Sequence, residues 1–206
     1  MTMPPAGAPT PSDSASGHPD PGPSPALSDW DAGAWSAVRA RVAELVPPTP
    51  CVRHRDLEAC FGGEIWLTHE NLQRTGSFKV RGAIAKITSL DAAAREAGVV
   101  ACSSGNHGRA VAWVAGRLGI GATIFVPEWV DPVKRAGMEA EGADVRLVGA
   151  SYDEAAGAAW AEVERTGRTF VHPFDDVEVA AGQGTTALEI LDAVPAPRRV
   201  VVCLSG

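Results

Sequence analysis

From Ser28 onward the chain alternates between two kinds of hydrophobic pattern. Trp30, Trp35, Val38, Val42 and Leu45 or Val46 recur at the spacing of one helix face, with Ser28 or Asp29 available as cap and Pro47-Pro48 as stop. Short apolar runs then alternate with helical patterns. The runs predict strands over 64–68, 98–102, 122–126 and 144–148, a short one over 169–171, and a buried one over 200–204. Helices are expected over 78–90, 106–118, 132–141, 152–165 and 179–193. Strands joined by crossover helices read as right-handed βαβ units, hence an α/β fold with a mostly parallel sheet and helices on both faces. The short apolar strands fit burial on both faces. Trp66, Trp113 and Trp160 are expected in the core.

Residues 1–27 break the alternation. They are rich in Pro, Ser, Gly and Ala, bury too little to offset ordering entropy, and read as a disordered tail. The tail has neither the basic start nor the apolar stretch of a secretion signal. The whole chain of 206 residues is 45% apolar and 21% charged, ordinary values for a globular protein. Its net charge of −7 argues against nucleic acid as the main partner. No apolar run approaches the roughly 20 residues needed to cross a bilayer. Cys51, Cys60, Cys102 and Cys203 form no CxxC pair, so neither a structural zinc site nor a redox motif is expected, and reduced thiols in the cytoplasm are.

Four stretches could carry chemistry. In Thr75-Gly76-Ser77-Phe78-Lys79-Val80-Arg81-Gly82-Ala83, Ser77 reads as a helix cap with Lys79 in the first turn. A helix N-terminus and an apolar neighbour disfavour the ammonium there and should lower its pKa, which suits imine formation. A lone lysine of this kind is usually a surface residue. In Ser103-Ser104-Gly105-Asn106-His107-Gly108, backbone N–H groups, hydroxyls, an amide and an imidazole converge between a strand and a helix, a setting for a carboxylate or simply a tight turn. Gly182-Gln183-Gly184-Thr185-Thr186-Ala187 matches GxGxxA, but a polar, acidic stretch precedes it where a dinucleotide fingerprint needs a strand, so it reads as a closely packed helix-entry turn. His172-Pro173-Phe174-Asp175-Asp176 reads as a loop and helix cap rather than a metal site. No metal is expected, and His54 and His69 read as surface residues.

Together and in this order, the stretches resemble the fold-type-II pyridoxal-phosphate (PLP) enzymes, within them the threonine dehydratase / serine racemase group. The likeness covers everything after the tail: TPCVRHRDLE (49–58), ENLQRTGSFKVRGA (70–83), GVVACSSGNHGRAVAWVAGRLG (98–119), VPEWVDPVKRAGMEAEGADVRLVG (126–149), SYDEA (151–155), HPFDD (172–176) and AGQGTTALEI (181–190). It implies two open, mostly parallel sheets flanked by helices. It also implies a small domain of residues 97–173 inserted into a larger one of 28–96 plus 174–206, with PLP between them.

The resemblance implies roles as well. Lys79 looks like the lysine that joins the cofactor and then moves the α-proton, with Phe78 beside the cofactor and Asn106 bonding its ring hydroxyl. Ser103, Ser104, Gly105, Asn106 and His107 look like the loop that grips the substrate carboxylate. Ser104 matches the serine that serves the opposite face of the α-carbon in racemases of the group. Gly206 looks like the first residue of the glycine loop that cradles the cofactor phosphate. Since the chain stops there, the expectation is a truncated, inactive N-terminal fragment of a homo-oligomeric enzyme. The implied reaction is β-elimination of L-threonine or L-serine to a 2-oxo acid and ammonia. Ser104 also fits a serine or aspartate racemase, or a dehydratase of another 3-hydroxy amino acid, whereas Phe174 is dehydratase-like. A non-catalytic binding module of the same fold is the reading from another class.

Overall fold

The computed structural model of the protein describes residues 27–202. The tail before Leu27 and residues 203–206, Gly206 among them, lie outside the described residues. The chain opens with a 3-10 turn, Leu27–Asp29, followed by helix α1 (Ala32–Leu45). The cap of α1 is Asp31, whose carboxylate accepts from the Ala34 N–H at 2.8 Å, in place of the expected Ser28 or Asp29. Asp31 wins because it is in extended geometry one residue before the helix, where a side-chain oxygen reaches the free N–H groups.

Strands β1 (Cys51–Arg53) and β2 (Trp66–Thr68) form an antiparallel ribbon around helix α2 (Arg55–Phe61). Trp66 stays exposed on this two-stranded ribbon, against expectation, because so small a sheet has no second layer to cover it. Helices α3 (Lys79–Ser89) and α4 (Ala92–Ala97) lead into the main sheet. That sheet holds β3 (Val99–Cys102), β4 (Ala122–Val126), β5 (Asp144–Leu147) and β6 (Thr169–Phe170), all parallel, in the order β5-β4-β3-β6. The crossovers are α5 (Asn106–Leu118), α6 (Pro132–Ala140) and α7 (Tyr152–Thr166), and α8 (Val177–Ala193) follows.

The α/β class is borne out. Alternation along β3 sends Val99 and Ala101 into the larger core with α5, and Val100 and Cys102 into a smaller one with Ala155 and Ala159 of α7. Each of these buried valines contributes about 1.5–3 kcal/mol. The expected strand over 200–204 is absent as far as it is described: Val200, Val201 and Val202 are exposed and pair with no strand. A strand needs a neighbouring ladder to satisfy its backbone, and none among the described residues lies beside these valines.

Two further expectations are corrected. Phe78, not Ser77, is the cap of α3; it is already in helical geometry and makes no side-chain cap bond, so the Ser77 hydroxyl is buried without a partner. Gly182-Gln183-Gly184 lies inside α8 rather than at a helix entry. The helix starts earlier because Asp176 caps it, accepting from Glu178 and Val179 N–H. The close packing expected of these glycines is present within the helix: a Cβ on Gly182 would lie 2.7 Å from Gly82 Cα of α3.

Candidate active site

In a parallel sheet, ligands settle outside the carboxyl ends of the strands where the strand order reverses. Here the chain runs outward from β3 to β4 and β5, then returns through α7 to place β6 on the other side of β3. The reversal lies between β3 and β6. The segments that leave its carboxyl end are residues 103–105 and 171–176, which belong to two of the four stretches singled out from sequence.

A third stretch arrives from α3. Lys79 is the first residue of that helix, and its Nζ donates to the Pro173 carbonyl at 2.8 Å while lying 5.2 Å from the centre of the Phe78 ring. Its amine is half-buried, and burial holds its pKa below the usual lysine value. A less basic amine at a crevice is suited to carbonyl chemistry and proton transfer.

The loop after β3 divides its residues between inside and outside. Ser103 Oγ accepts from Gly105 N–H at 3.3 Å, and Gly105 is the cap of α5. Ser103, Ser104 and Gly105 are half-buried, and Asn106 is exposed at the first position of the helix. A cavity of about 210 Å³ opens there, lined by Gly105, Asn106, Arg109, Val133 and Lys134. His107 points the other way. Its ring is buried, and its Nε2 lies 2.8 Å from the Val171 carbonyl, which can only accept, so Nε2 carries the proton. Burial first, and the nearby charge of Lys79 among the smaller causes, push its pKa down to about 4, so the imidazole is neutral. It fastens the loop after β3 to the end of β6, and its Nδ1 is buried without a hydrogen-bond partner.

Two residues beyond Lys79 in α3, Arg81 centres a network of buried polar groups. The Arg81 guanidinium is wholly buried and bonds two carboxylates: Glu70 at 2.9 and 3.1 Å and Glu189 at 2.7 and 2.8 Å. The Thr185 hydroxyl accepts the second Nη1 N–H, and the Thr49 hydroxyl shares the Nη2 hydrogens with the two carboxylates. Arg81 therefore ties α3 to α8 and to the two segments before α3. Lys86 of α3 adds a salt bridge of 2.6 Å to Asp176, which also caps α8. These partners are far apart in sequence, so no local spacing announces them.

The family described as "Pyridoxal-phosphate dependent enzyme" matches residues 42–206. The L-threonine ammonia-lyase of Thermotoga maritima is 50% identical over 145 residues, which are 70% of this chain and 36% of that protein. The L-threonine ammonia-lyase of Geobacter sulfurreducens is 41% identical over 166 residues, 81% of this chain and 41% of that protein. Among solved structures, maize serine racemase superposes with a TM-score of 0.77 at 33% identity, covering 80% of this chain and 50% of that one. A processed threonine deaminase isoform from Solanum lycopersicum gives 0.74 at 30% identity, covering 81% and 47%. The chain thus spans about half, or less, of the length of these relatives.

Proposed function

Since the chain belongs to the pyridoxal-phosphate-dependent enzyme family, we propose that the protein removes water and then ammonia from L-threonine or L-serine, by β-elimination, leaving a 2-oxo acid. The observation that carries this reading is the Lys79 amine held on the Pro173 carbonyl, in the loop that leaves β6 beside the reversal of strand order. The described residues fit the cofactor: a half-buried amine for its aldehyde, the Phe78 ring beside that amine, and an exposed Asn106 amide for its ring hydroxyl.

When bound, the cofactor supplies an electron-withdrawing ring that stabilises the charge left on the substrate α-carbon. The chain's own groups do the rest. The Lys79 amine, less basic than usual, takes the α-proton on one face. Ser103, Ser104, Gly105 and the N-terminus of α5 hold the substrate carboxylate through N–H groups and hydroxyls. His107, neutral and fastened to Val171, orients that loop and moves no proton.

In the same reading residues 97–173 form the small domain, which the extent of the four-stranded sheet supports. The intact protein is a cytoplasmic homo-oligomer without a nucleic-acid partner, and the charge of −7 supports the last point. Among the described residues no helix is long and apolar enough to cross a membrane.

The half-buried Ser104 favours a second reading, a serine or aspartate racemase, because its hydroxyl is at the carboxylate loop where a second proton donor would act. Incubation of the intact protein with L-threonine, L-serine and D-serine separates the two. The proposal expects 2-oxo acid from the L-hydroxy amino acids; production of the opposite enantiomer with no 2-oxo acid would replace it with the racemase.

A further inference from the structure

The Pro173 carbonyl that receives Lys79 Nζ lies in a loop with no ladder of its own. Its far end is anchored: Asp176 caps α8 through Oδ1 and bridges to Lys86 through Oδ2. Its near end leaves β6 at Val171, whose own carbonyl is taken by His107. Pro173 brings no N–H to fix itself. What gathers the middle of the loop is His172. Its Nδ1 accepts from the backbone N–H of Asp175 at 2.7 Å and of Phe174 at 3.3 Å. The ring contacts Phe170 at 6.0 Å and meets Phe174 edge-on at 4.6 Å.

We propose that His172 is a positioning residue for Lys79: its Nδ1 closes the loop over Pro173 and so holds that carbonyl against the lysine amine. The proposal rests on the role given to Lys79 above. An Nδ1 that accepts two N–H groups must be unprotonated, so the neutral ring carries its proton on Nε2. Protonation of Nδ1 would replace an acceptor with a donor facing two donors, and the loop would open. The charged groups that face the ring divide in sign. The Asp175 and Asp176 carboxylates favour the imidazolium, while Lys79 opposes it, and His107 lies within electrostatic reach. Burial is the largest influence and keeps the ring neutral.

Two substitutions separate the acceptor from the ring. His172→Phe keeps the aromatic contacts and deletes the acceptor. His172→Asn deletes the ring and returns an oxygen at the reach of Nδ1. The readout is the rate at which Lys79 is reductively methylated across pH, followed by peptide mass spectrometry after the cofactor is released. It needs no turnover, so it fails separately from the reaction proposed above. Without the Pro173 carbonyl the ammonium loses an acceptor, its pKa falls, and the free amine at neutral pH increases. A hydrogen bond to a charged group of this kind corresponds to a change of roughly tenfold. The expected result is Lys79 labelling roughly tenfold faster in His172→Phe, with its pH midpoint lowered, and a wild-type profile in His172→Asn. An unchanged profile in His172→Phe, or equal changes in both variants, overturns the proposal. A measurement on the unsubstituted, intact protein stands apart from the folding of either variant. Imidazole ¹⁵N chemical shifts at neutral pH should show an unprotonated Nδ1 at His172, and a protonated Nδ1 overturns the proposal equally.

Discussion

Gly82 of α3 and Gly182 of α8 meet back to back where the two helices cross, and neither position has room for a side chain. A Cβ on Gly182 would lie 2.5 Å from the Arg81 carbonyl, and one on Gly82 would lie 2.8 Å from the Val179 carbonyl. Both carbonyls are backbone atoms, which cannot rotate away, and at Gly82 the Gln183 side chain lies nearer still, at 2.5 Å. This crossing sets how far Lys79, at the start of α3, stands from the loop that leads into α8. Replacing Gly182 with Ala forces the helices apart, and overpacking of this kind costs about 1–3 kcal/mol. The urea-unfolding midpoint should fall accordingly; an unchanged midpoint would mean that the helices are not in contact here.

Arg81 stands at the same crossing, and its loss should be more severe. It is the shared partner of Glu70 and Glu189, whose side chains are only 16% and 14% exposed. Arg81→Met leaves two carboxylates facing each other with no cation between them. Removing one partner from a buried ion pair costs about 3–5 kcal/mol. Arg81→Lys should recover part of this, since one ammonium cannot match two carboxylate forks. Denaturant titration of the variants checks the order, and a lysine variant as stable as wild type would contradict it.

His107 predicts a loss of stability in acid. Its folded pKa of about 4 lies below the ordinary histidine value of 6.5. Between these values the unfolded chain binds more protons than the folded one, so stability is complete above 6.5 and falls as pH drops toward 4. The shift corresponds to about 3 kcal/mol. His107→Gln returns an amide at the position of Nε2, keeps the bond to Val171, and removes this share of the acid slope. Thermal unfolding followed from about pH 7 to about pH 4 should show the flatter profile in the variant. A slope identical to wild type would place the titrating group elsewhere.

The elements most legible in sequence are those with strong local punctuation. Helix α5 and strand β4 have the bounds read from the chain, because Gly105 and a left-handed Gly119 delimit the helix and the strand is an unbroken apolar run. The ribbon β1–β2 and the helices α2 and α4 were partly or wholly missed, being three, three, seven and six residues long. Such lengths carry little periodicity, and α2 is capped by His54, whose Nδ1 accepts from Leu57 N–H, a role that composition does not announce. The candidate site divides along the same line. Lys79 and the loop of residues 103–107 were legible as motifs. The Arg81 network and the hold of Pro173 on Lys79 were not, because they join residues up to 108 positions apart through tertiary packing.

Lys79 is the residue expected to take the cofactor. The intact protein, loaded with pyridoxal phosphate and reduced with borohydride, should carry the pyridoxyl group on the peptide that contains Lys79, and Lys79→Ala should carry none. A pyridoxyl group on Lys86, Lys134 or any residue other than Lys79, or undiminished attachment in Lys79→Ala, would contradict it.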